Sequence, residues 1–414
     1  MKILYILGAY KPDMSANGVC SDNVIRQLLE DGHQVTVLSN GATGYPETRT
    51  EDGLEIVTVR LRFFLRLCEK SRNLSKTNPK LSKLLQSMAL IINKIQLLIT
   101  SPIWPVVSPI TVRRFKKKAI SLQSEKDFDA VISVYTPFDA MLAGKAVKQK
   151  YPKVKYFPYF LDSLSGGYGP RVFSKEKIIK TGLKIEKEIF EIADRVILME
   201  SSREHHLRYN SEFEDKISFL DIPMLTPFEK ANEELMENKV KKLLYVGSIS
   251  SAIRNPDPLI KILSEIADSN VVCEFIGNID CPERFSDLKK LYGERLKFTG
   301  FISHNLISKK IVSADVLLNI GNSNSSMVPS KIFEYMSYGK PILSTYVIDN
   351  EPSLKYLQKY PLSFTVDGRN GIVPTEEIED FIFNENNAEI SNKILEEAFY
   401  RNTPKAFVKE ITEI

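Results

Sequence analysis

The stretch KILYILGAYKPDMSANGVCSDNVIRQLLEDGHQVTVLSN, residues 2–40, decides the fold. KILYILGAY is an apolar run rich in strand formers. After a loop, SDNVIRQLLEDG places apolar residues at helical spacing and stops at Gly32. HQVTVLSN is the next strand. A strand, a helix and a second strand joined in this order are the unit of a parallel sheet covered by helices. The opening apolar run lacks a small-residue cleavage site, so it reads as a first buried strand rather than a signal peptide.

The same alternation continues outward. GLEIVTVRL, FDAVISVYTP (128–137), KVKYFPYFLD (153–162), RVILME and KISFLDIPML (216–225) read as strands. FDAMLAGKAVKQK (138–150) and KEKIIKTGLKIEKEIFEIAD (175–194) read as helices. A second round starts at KKLLYVGSIS (241–250) and runs through VPSKIFEYMSYG and KPILST. The chain of 414 residues exceeds one ordinary core and suffices for two. The expected organisation is an α/β pair of Rossmann-like, doubly wound domains facing a cleft. Residues 1–225 form the first domain, with an insert at about 60–118. Residues 226–240 are a linker, with FEKANEELMENK (228–239) at its centre. Residues 241–385 form the second domain, and 386–414 are terminal helices packing back towards the first. Open sheets of this type bind ligands beyond the carboxyl ends of their strands.

Composition narrows the partners. Four cysteines are scattered without ligand spacing, and with only four histidines there is no zinc signature; the cysteine usage points to a reducing compartment. The chain carries a net charge of +4, yet Arg60 to Lys118 holds 14 Lys or Arg against the single acid Glu69. This insert also contains MALIINKIQLLITSPIWPVVSPI (88–110), an apolar stretch interrupted by Asn93 and Lys94 and by three prolines. No uninterrupted run in it is expected to reach bilayer-spanning length. Apolar surface flanked by basic residues fits an anionic membrane leaflet, with a solvated helical insert as the other reading. No groove-reading or stacking motif accompanies the charge, so no nucleic acid partner is expected.

The candidate site residues sit in loops after strands. Gly18 precedes a helix, where backbone N–H groups can approach an anion. Gly247 ends a strand, and Arg254 follows seven residues later, well placed for a diphosphate. Lys331 offers a second cation at a helix start. Glu334 lies three residues further on the same face, and an ionised carboxylate can accept both hydroxyls of a ribose. Ser326 or Ser330 could cap this helix, with Pro329 in its first turn. Asp162 closes a strand in FLDSLSGGYGP, where an acid could orient an acceptor hydroxyl or balance positive charge developing on a sugar. Each of these also admits a plain structural role as a turn, cap or surface charge. Asp139 and His304 are weaker candidates. His205 and His206 would point apart on a helix.

In order along the chain, NGVCSDNVIRQLLEDGHQVTVLSN, ADRVILMESS, LLYVGSISSAIRNPDPLI, FIGNID, LKFTGFIS, SADVLLNIG and VPSKIFEYMSYGKPIL resemble the retaining GT-B glycosyltransferases of family four. The resemblance spans roughly residues 1–370 and leaves only the insert poorly matched. It implies two Rossmann-like domains and transfer of a hexosyl or N-acetylhexosaminyl unit from a UDP- or GDP-sugar with retention. It implies no cofactor beyond the donor. No DxD-type metal motif lies among these candidate site residues, so no metal is expected.

Residue by residue, the resemblance puts Gly18 and Gly247 near the donor phosphates and Arg254 and Lys331 on the diphosphate. It puts backbone N–H groups of Ser326–Val328 on the same charge, Val328 among them, and Glu334 on the ribose. Asp162 aligns loosely with an acceptor-side catalytic residue. Two departures stand out: Ser326 replaces the family's first glutamate, and Ser248 its usual arginine. With the basic insert, the acceptor is expected to be a glycan or lipid-linked saccharide of surface polysaccharide synthesis. The enzyme is expected in the cytoplasm, peripheral at the inner face of the membrane. A non-catalytic subunit binding sugar nucleotide or glycan, and a nucleotide-sugar epimerase or phosphorylase, stand as alternatives.

Overall fold

The structure is a computed structural model that describes every residue except 13, 76, 167–168, 171, 228–239, 268, 303, 325–329, 385–389 and 414. The linker core at 228–239, and Ser326, Val328 and Pro329, therefore lie outside the described residues. The chain divides into two compact units, Met1–Pro223 with Pro404–Ile414, and Met224–Thr403.

The first unit carries strands β1 (Lys2–Ile6), β2 (Gln34–Asn40), β3 (Thr48–Glu51), β4 (Leu54–Val59), β5 (Ala130–Tyr135), β6 (Lys155–Phe160), β7 (Val196–Met199) and β8 (Ile217–Leu220). Its sheet order is β3-β4-β2-β1-β5-β6-β7-β8. Every pairing is parallel except β3 against β4, a hairpin at the edge. The helices are α1 (Ala16–Glu30), α2 (Phe63–Leu74), α3 (Pro79–Thr100), α4 (Pro109–Lys126), α5 (Phe138–Lys150), α6 (Lys175–Phe190) and α7 (Arg203–Tyr209).

Buried parallel strands need apolar side chains on both faces, and β1 shows why KILYI is one. Ile3 and Tyr5 join one core with α1, while Leu4 and Ile6 join another with α4, α5 and α6. Local chemistry sets the helix starts. Ser15 accepts from the Gly18 amide at 3.2 Å to begin α1. Asn78 and Ser108 cap α3 and α4, each followed by a proline at the first helical position.

The basic insert is therefore α2, α3 and most of α4. Asn93 and Lys94 interrupt the apolar run but not helix α3, because both residues are tolerated in a helix interior. The prolines act only at its end, where a tight turn extends the helical path to Ile103. Pro79–Ile103 thus gives 25 residues, long and apolar enough by length and composition to cross a membrane, with 6% of the most apolar window buried.

The second unit contains β9 (Lys241–Val246), β10 (Val271–Ile276), β11 (Leu296–Thr299), β12 (Val316–Ile320), β13 (Ile342–Tyr346) and β14 (Ser363–Asp367). All pairings are parallel in the order β11-β10-β9-β12-β13-β14. This is the doubly wound order, and its reversal between β9 and β12 makes the crevice where ligands of such sheets bind. Its helices are α8 (Asp257–Glu265), α9 (Ser286–Tyr292), α10 (His304–Val312), α11 (Lys331–Met336), α12 (Leu354–Leu357), α13 (Thr375–Phe383) and α14 (Asn392–Phe399). The last helix, α15 (Pro404–Thr412), belongs to the first unit. There Phe407 meets the Tyr159 ring at 4.7 Å, and Glu410 pairs with Arg195 at 2.7 Å.

Candidate nucleotide-sugar site

Gly247 follows the last residue of β9 and sits at φ +148, a conformation that side chains other than glycine rarely adopt. Its amide donates to the Ile276 carbonyl at 2.8 Å. Gly277, at φ +131, closes the next strand against it, and a Cβ on Gly277 would lie 2.2 Å from the Gly247 carbonyl oxygen. The two glycines let adjacent strand ends touch backbone to backbone. They leave the loop 248–254 free to turn over the crevice.

That loop is tied down from two sides. Asp280 accepts from the Ser251 amide at 2.9 Å and from Ser250 Oγ at 3.2 Å, and these bonds pull its carboxyl below the usual carboxylate value. On the other side, the Ser323 amide donates to the Ile253 carbonyl at 2.6 Å. Arg254 joins both loops: Nη1 donates to the Ser248 carbonyl at 2.8 Å and Nε to Asn322 Oδ1 at 3.1 Å.

Asn322 begins the loop after β12, across the reversal of strand order. Its amide donates to Glu351 Oε1 at 3.1 Å, while Glu351 Oε2 accepts from the Ser353 amide at 2.9 Å and from the Ser353 hydroxyl. Glu351 is 3% exposed and braces this loop from below. Gly321 makes room for it, since a Cβ there would stand 2.9 Å from Glu351 Cγ. Nothing in the residue pattern marked Glu351 or Asn322. Their role depends on which loops the sheet order makes neighbours.

Helix α11 places Lys331 and Glu334 on one face. Lys331 Nζ donates to Glu334 Oε2, and the Glu334 side chain is 9% exposed. Ser330 occupies the N-cap position without a side-chain cap bond, so the expected capping by Ser330 does not occur. Between the two charged residues and the β9 end stands Tyr335. Its hydroxyl accepts from the Val246 amide at 2.9 Å, and burial raises its pKa, with Glu334 raising it further and Arg254 opposing. Gly247, Arg254, Lys331 and Glu334 thus all belong to the carboxyl-end side of the second sheet. Val328, expected with them, lies outside the described residues.

In the first unit, Gly18 lies in the first turn of α1, where its amide is engaged by Ser15. A Cβ there would approach the Ala9 carbonyl oxygen to 2.6 Å, so the glycine allows α1 to pack on the loop after β1. Asp162 follows β6. It is an exposed residue, yet neighbouring protein still desolvates the carboxyl and raises its pKa. The adjoining segment is held by Glu186 of α6, a fully buried carboxylate. Glu186 accepts from the Ser165 amide at 2.9 Å, Ser165 Oγ at 2.5 Å and Ser163 Oγ at 3.2 Å.

His205 Nε2 meets Ser165 Oγ at 2.7 Å. His206 is buried with its pKa lowered to about 3 by desolvation. Among the described residues, no group of three His, Cys, Asp or Glu side chains could hold a metal ion. Asp139, in the first turn of α5, is 4% exposed, and burial lifts its carboxyl to about 6.

Two Rossmann-like units, each with a sheet order that reverses once, define the GT-B class of fold. A family model described as glycosyl transferases group 1 matches residues 240–381, most of the second unit. No curated protein matches the chain. Among solved structures, the chain is similar to an E. coli protein described as trehalose-6-phosphate bound with UDP-2-fluoro glucose, with TM-score 0.60, 10% identity and 100% and 99% of the two chains covered. It is similar to Anabaena HepE in complex with UDP, with TM-score 0.56, 15% identity and coverage of 100% and 99%. It is also similar to the apo lipopolysaccharide outer core galactosyltransferase WaaB, with TM-score 0.51, 15% identity and coverage of 100% and 99%. At such identities these likenesses establish the fold.

Proposed function

We propose that this protein is a glycosyltransferase that moves a hexosyl or N-acetylhexosaminyl unit from a UDP- or GDP-sugar to a glycan or lipid-linked saccharide, with retention of anomeric configuration. The observation that carries the reading is the juxtaposition at the second sheet's reversal. The Gly247 loop, Arg254 and the β12 loop are hydrogen-bonded together there, on the span matched by the family model. Support for a nucleotide donor comes from the similar fold of HepE, solved in complex with UDP.

In this reading Glu334 accepts the two ribose hydroxyls, and Arg254 and Lys331 meet charge gathering on the leaving diphosphate. Backbone N–H groups of Ser326–Val328 add to that charge stabilisation. Gly247 and Gly18 contribute close approach, because their own amides are already engaged. Asp162 orients the acceptor hydroxyl. The bond between the sugar's anomeric carbon and the diphosphate oxygen breaks as the acceptor oxygen attacks from the same face. The acceptor's proton leaves with the diphosphate. Among the described residues no paired-carboxylate arrangement calls for a covalent intermediate, and the reaction is read as independent of metal. The acceptor belongs to surface polysaccharide synthesis, and the enzyme works in the cytoplasm, held at the inner face of the membrane by its insert.

Ser326, standing where the family has a glutamate, favours a second reading as a non-catalytic subunit that binds sugar nucleotide. One screen separates the possibilities. UDP-, GDP- and CMP-sugars are each incubated with the protein, with and without a glycan acceptor, and hydrolysis, transfer and saturable binding are followed. Transfer or slow hydrolysis of one donor supports the enzyme. Saturable binding without turnover identifies the subunit, and conversion of the donor to another nucleotide sugar with no acceptor identifies an epimerase. No binding of any nucleotide sugar sinks the proposal.

A further inference from the structure

The first unit contains a pocket of about 650 Å³ that lies outside the residues assigned above. That volume falls within the range of small-molecule sites. Its walls are the loops after β2 and β4, one turn of α2 and one face of α4. Five cations line it, Arg60, Arg66, Arg114, Lys117 and Lys118, against the single carboxylate Glu47. Glu47 is already taken up by Lys118 at 3.3 Å. Arg114 is oriented by donating Nη1 to the Arg60 carbonyl at 3.2 Å, and Arg66 lies over the Phe63 ring at 5.4 Å. Arg66 Nε is buried and, among the described residues, has no hydrogen-bond partner. Like charges gathered in a concave wall repel one another, and a buried guanidinium donor without an acceptor is costly. An anion with several oxygens would relieve both. Planar guanidinium groups match phosphate oxygens in particular.

The neighbouring surface is of the opposite kind. α2, which supplies Arg66, is bonded to α3 through Ser71 and Ser82. Each hydroxyl donates to the other residue's carbonyl at 2.8 Å. Away from α2, α3 turns Leu84, Leu90, Ile91, Ile95, Leu98 and Ile99 to solvent, all between 53% and 71% exposed. The helix contains no Asp or Glu. At 1.5 Å per residue it is about 33 Å long, close to the hydrocarbon thickness of a bilayer and long enough for a lipid chain to lie along it. A free phosphate or a nucleotide would use the pocket and leave this face bare. One molecule that is anionic at its head and hydrocarbon beyond it uses both.

We propose that the pocket binds the phosphate or diphosphate of a phosphorylated amphiphile whose hydrocarbon chain lies along α3. No bond to that phosphate forms or breaks; the group is a handle. This rests on the transfer reading above insofar as the amphiphile is taken to carry the acceptor sugar, and it then names the acceptor as a lipid-linked phosphate or diphosphate.

The test is calorimetric binding to the full chain, with farnesyl diphosphate as probe and inorganic pyrophosphate, farnesol and UDP as comparisons. Farnesyl diphosphate is expected to bind at least about tenfold more tightly than pyrophosphate or farnesol. The triple variant Arg114→Ala, Lys117→Ala, Lys118→Ala is expected to lose at least about tenfold of that affinity while binding UDP as the wild type does. If circular dichroism shows the triple variant misfolded, Lys117→Ala alone, at an exposed wall position, is expected to weaken farnesyl diphosphate measurably. Wild-type affinity for farnesyl diphosphate in the folded variants overturns the proposal. So does pyrophosphate binding as tightly as the prenyl compound, which marks a site for free anions. Failure of the wild type to bind any nucleotide sinks the transfer reading instead, and leaves the farnesyl diphosphate result standing.

Discussion

Lys331 is ion-paired with Glu334 one helical turn further on, and the carboxylate is the more enclosed partner, 9% exposed against 31% for the lysine side chain. A nucleotide that uses both residues must exchange this pair for its own contacts, the ribose taking the acid and the phosphates the base. Glu334→Gln keeps the shape but removes the charge that strengthens hydrogen bonds from the ribose hydroxyls. Binding of the nucleoside diphosphate is expected to weaken by roughly 1.5–3 kcal/mol. Calorimetry on the folded variant checks this, and an unchanged dissociation constant removes Glu334 from the ribose.

Arg254 and Lys331 are expected to separate binding from chemistry. If they meet charge that develops on the leaving group, Arg254→Ala and Lys331→Ala lower kcat for transfer more than they weaken the bare nucleoside. Arg254→Lys is informative as well. A lysine cannot bond the Ser248 carbonyl and Asn322 together as the guanidinium does, so it should behave nearly like alanine. Steady-state rates at saturating acceptor decide the matter, and wild-type activity in the double alanine variant excludes both residues.

Glu186 is expected to act on the acceptor side through position alone. Its carboxylate gathers the Ser165 amide and two serine hydroxyls, immediately after Asp162 in the chain. Glu186→Gln puts a donor where an acceptor is needed, which should loosen the 163–165 segment without touching the second unit. The expected signature is a raised acceptor KM with donor KM unchanged. Equal effects on both substrates would mean that the change acts on overall stability.

The parallel sheets and their helices could be read directly from residues 2–40 and from the second round after 241, because buried parallel strands require near-continuous apolar runs. The placement of Arg254 in a loop after a strand, and of Lys331 and Glu334 on one helix face, was legible too, since charged residues at fixed offsets from a glycine turn stand out. Glu351, Asn322 and the five-cation pocket were not. Glu351 braces a loop 29 residues away, and the pocket joins Arg60 to Lys118 across the whole insert. Such pairings are fixed by strand order and helix packing, which no local pattern encodes. The bilayer-spanning length of Pro79–Ile103 was hidden for another reason. Polar residues interrupt an apolar run without costing a helix much, so uninterrupted runs understate the length of a helix that stays apolar on average.

Asp139 gives a pH dependence with a definite sign. Burial lifts its carboxyl from 3.8 to about 6, so the folded state holds this proton more tightly than the unfolded chain. The protein is therefore expected to lose stability as pH rises from about 4 to about 6, by up to roughly 3 kcal/mol from this group. Above that range the loss is complete. Asp139→Asn carries no titrating proton and should be the more stable protein at pH 7, with the advantage shrinking towards pH 4. Urea denaturation of both proteins across this range measures the difference. Parallel stability curves would show that Asp139 is solvated.

Membrane association is expected to draw on two separable forces. The apolar face of α3, with Leu98 66% and Ile99 71% exposed, supplies burial at about 25 cal/mol per Å². The surrounding lysines and arginines supply an attraction to anionic head groups that salt weakens. The wild type should float with anionic vesicles at low salt and less so at high salt. Neutralising Arg113, Arg114, Lys116, Lys117 and Lys118 should remove the salt-sensitive part. Replacing Leu90, Ile91, Leu98 and Ile99 by serine should remove what survives high salt. Trp104, the one tryptophan of the chain, follows the end of α3 by a few residues and is half-buried, so its emission should shift to the blue as vesicles bind. Neither set of changes should abolish transfer to a short soluble acceptor, because both lie outside the residues assigned to the donor. If the wild type stays in the soluble fraction with every lipid and salt, and Trp104 emission does not move, the apolar face of α3 serves some contact other than a bilayer, and a soluble acceptor becomes the better choice.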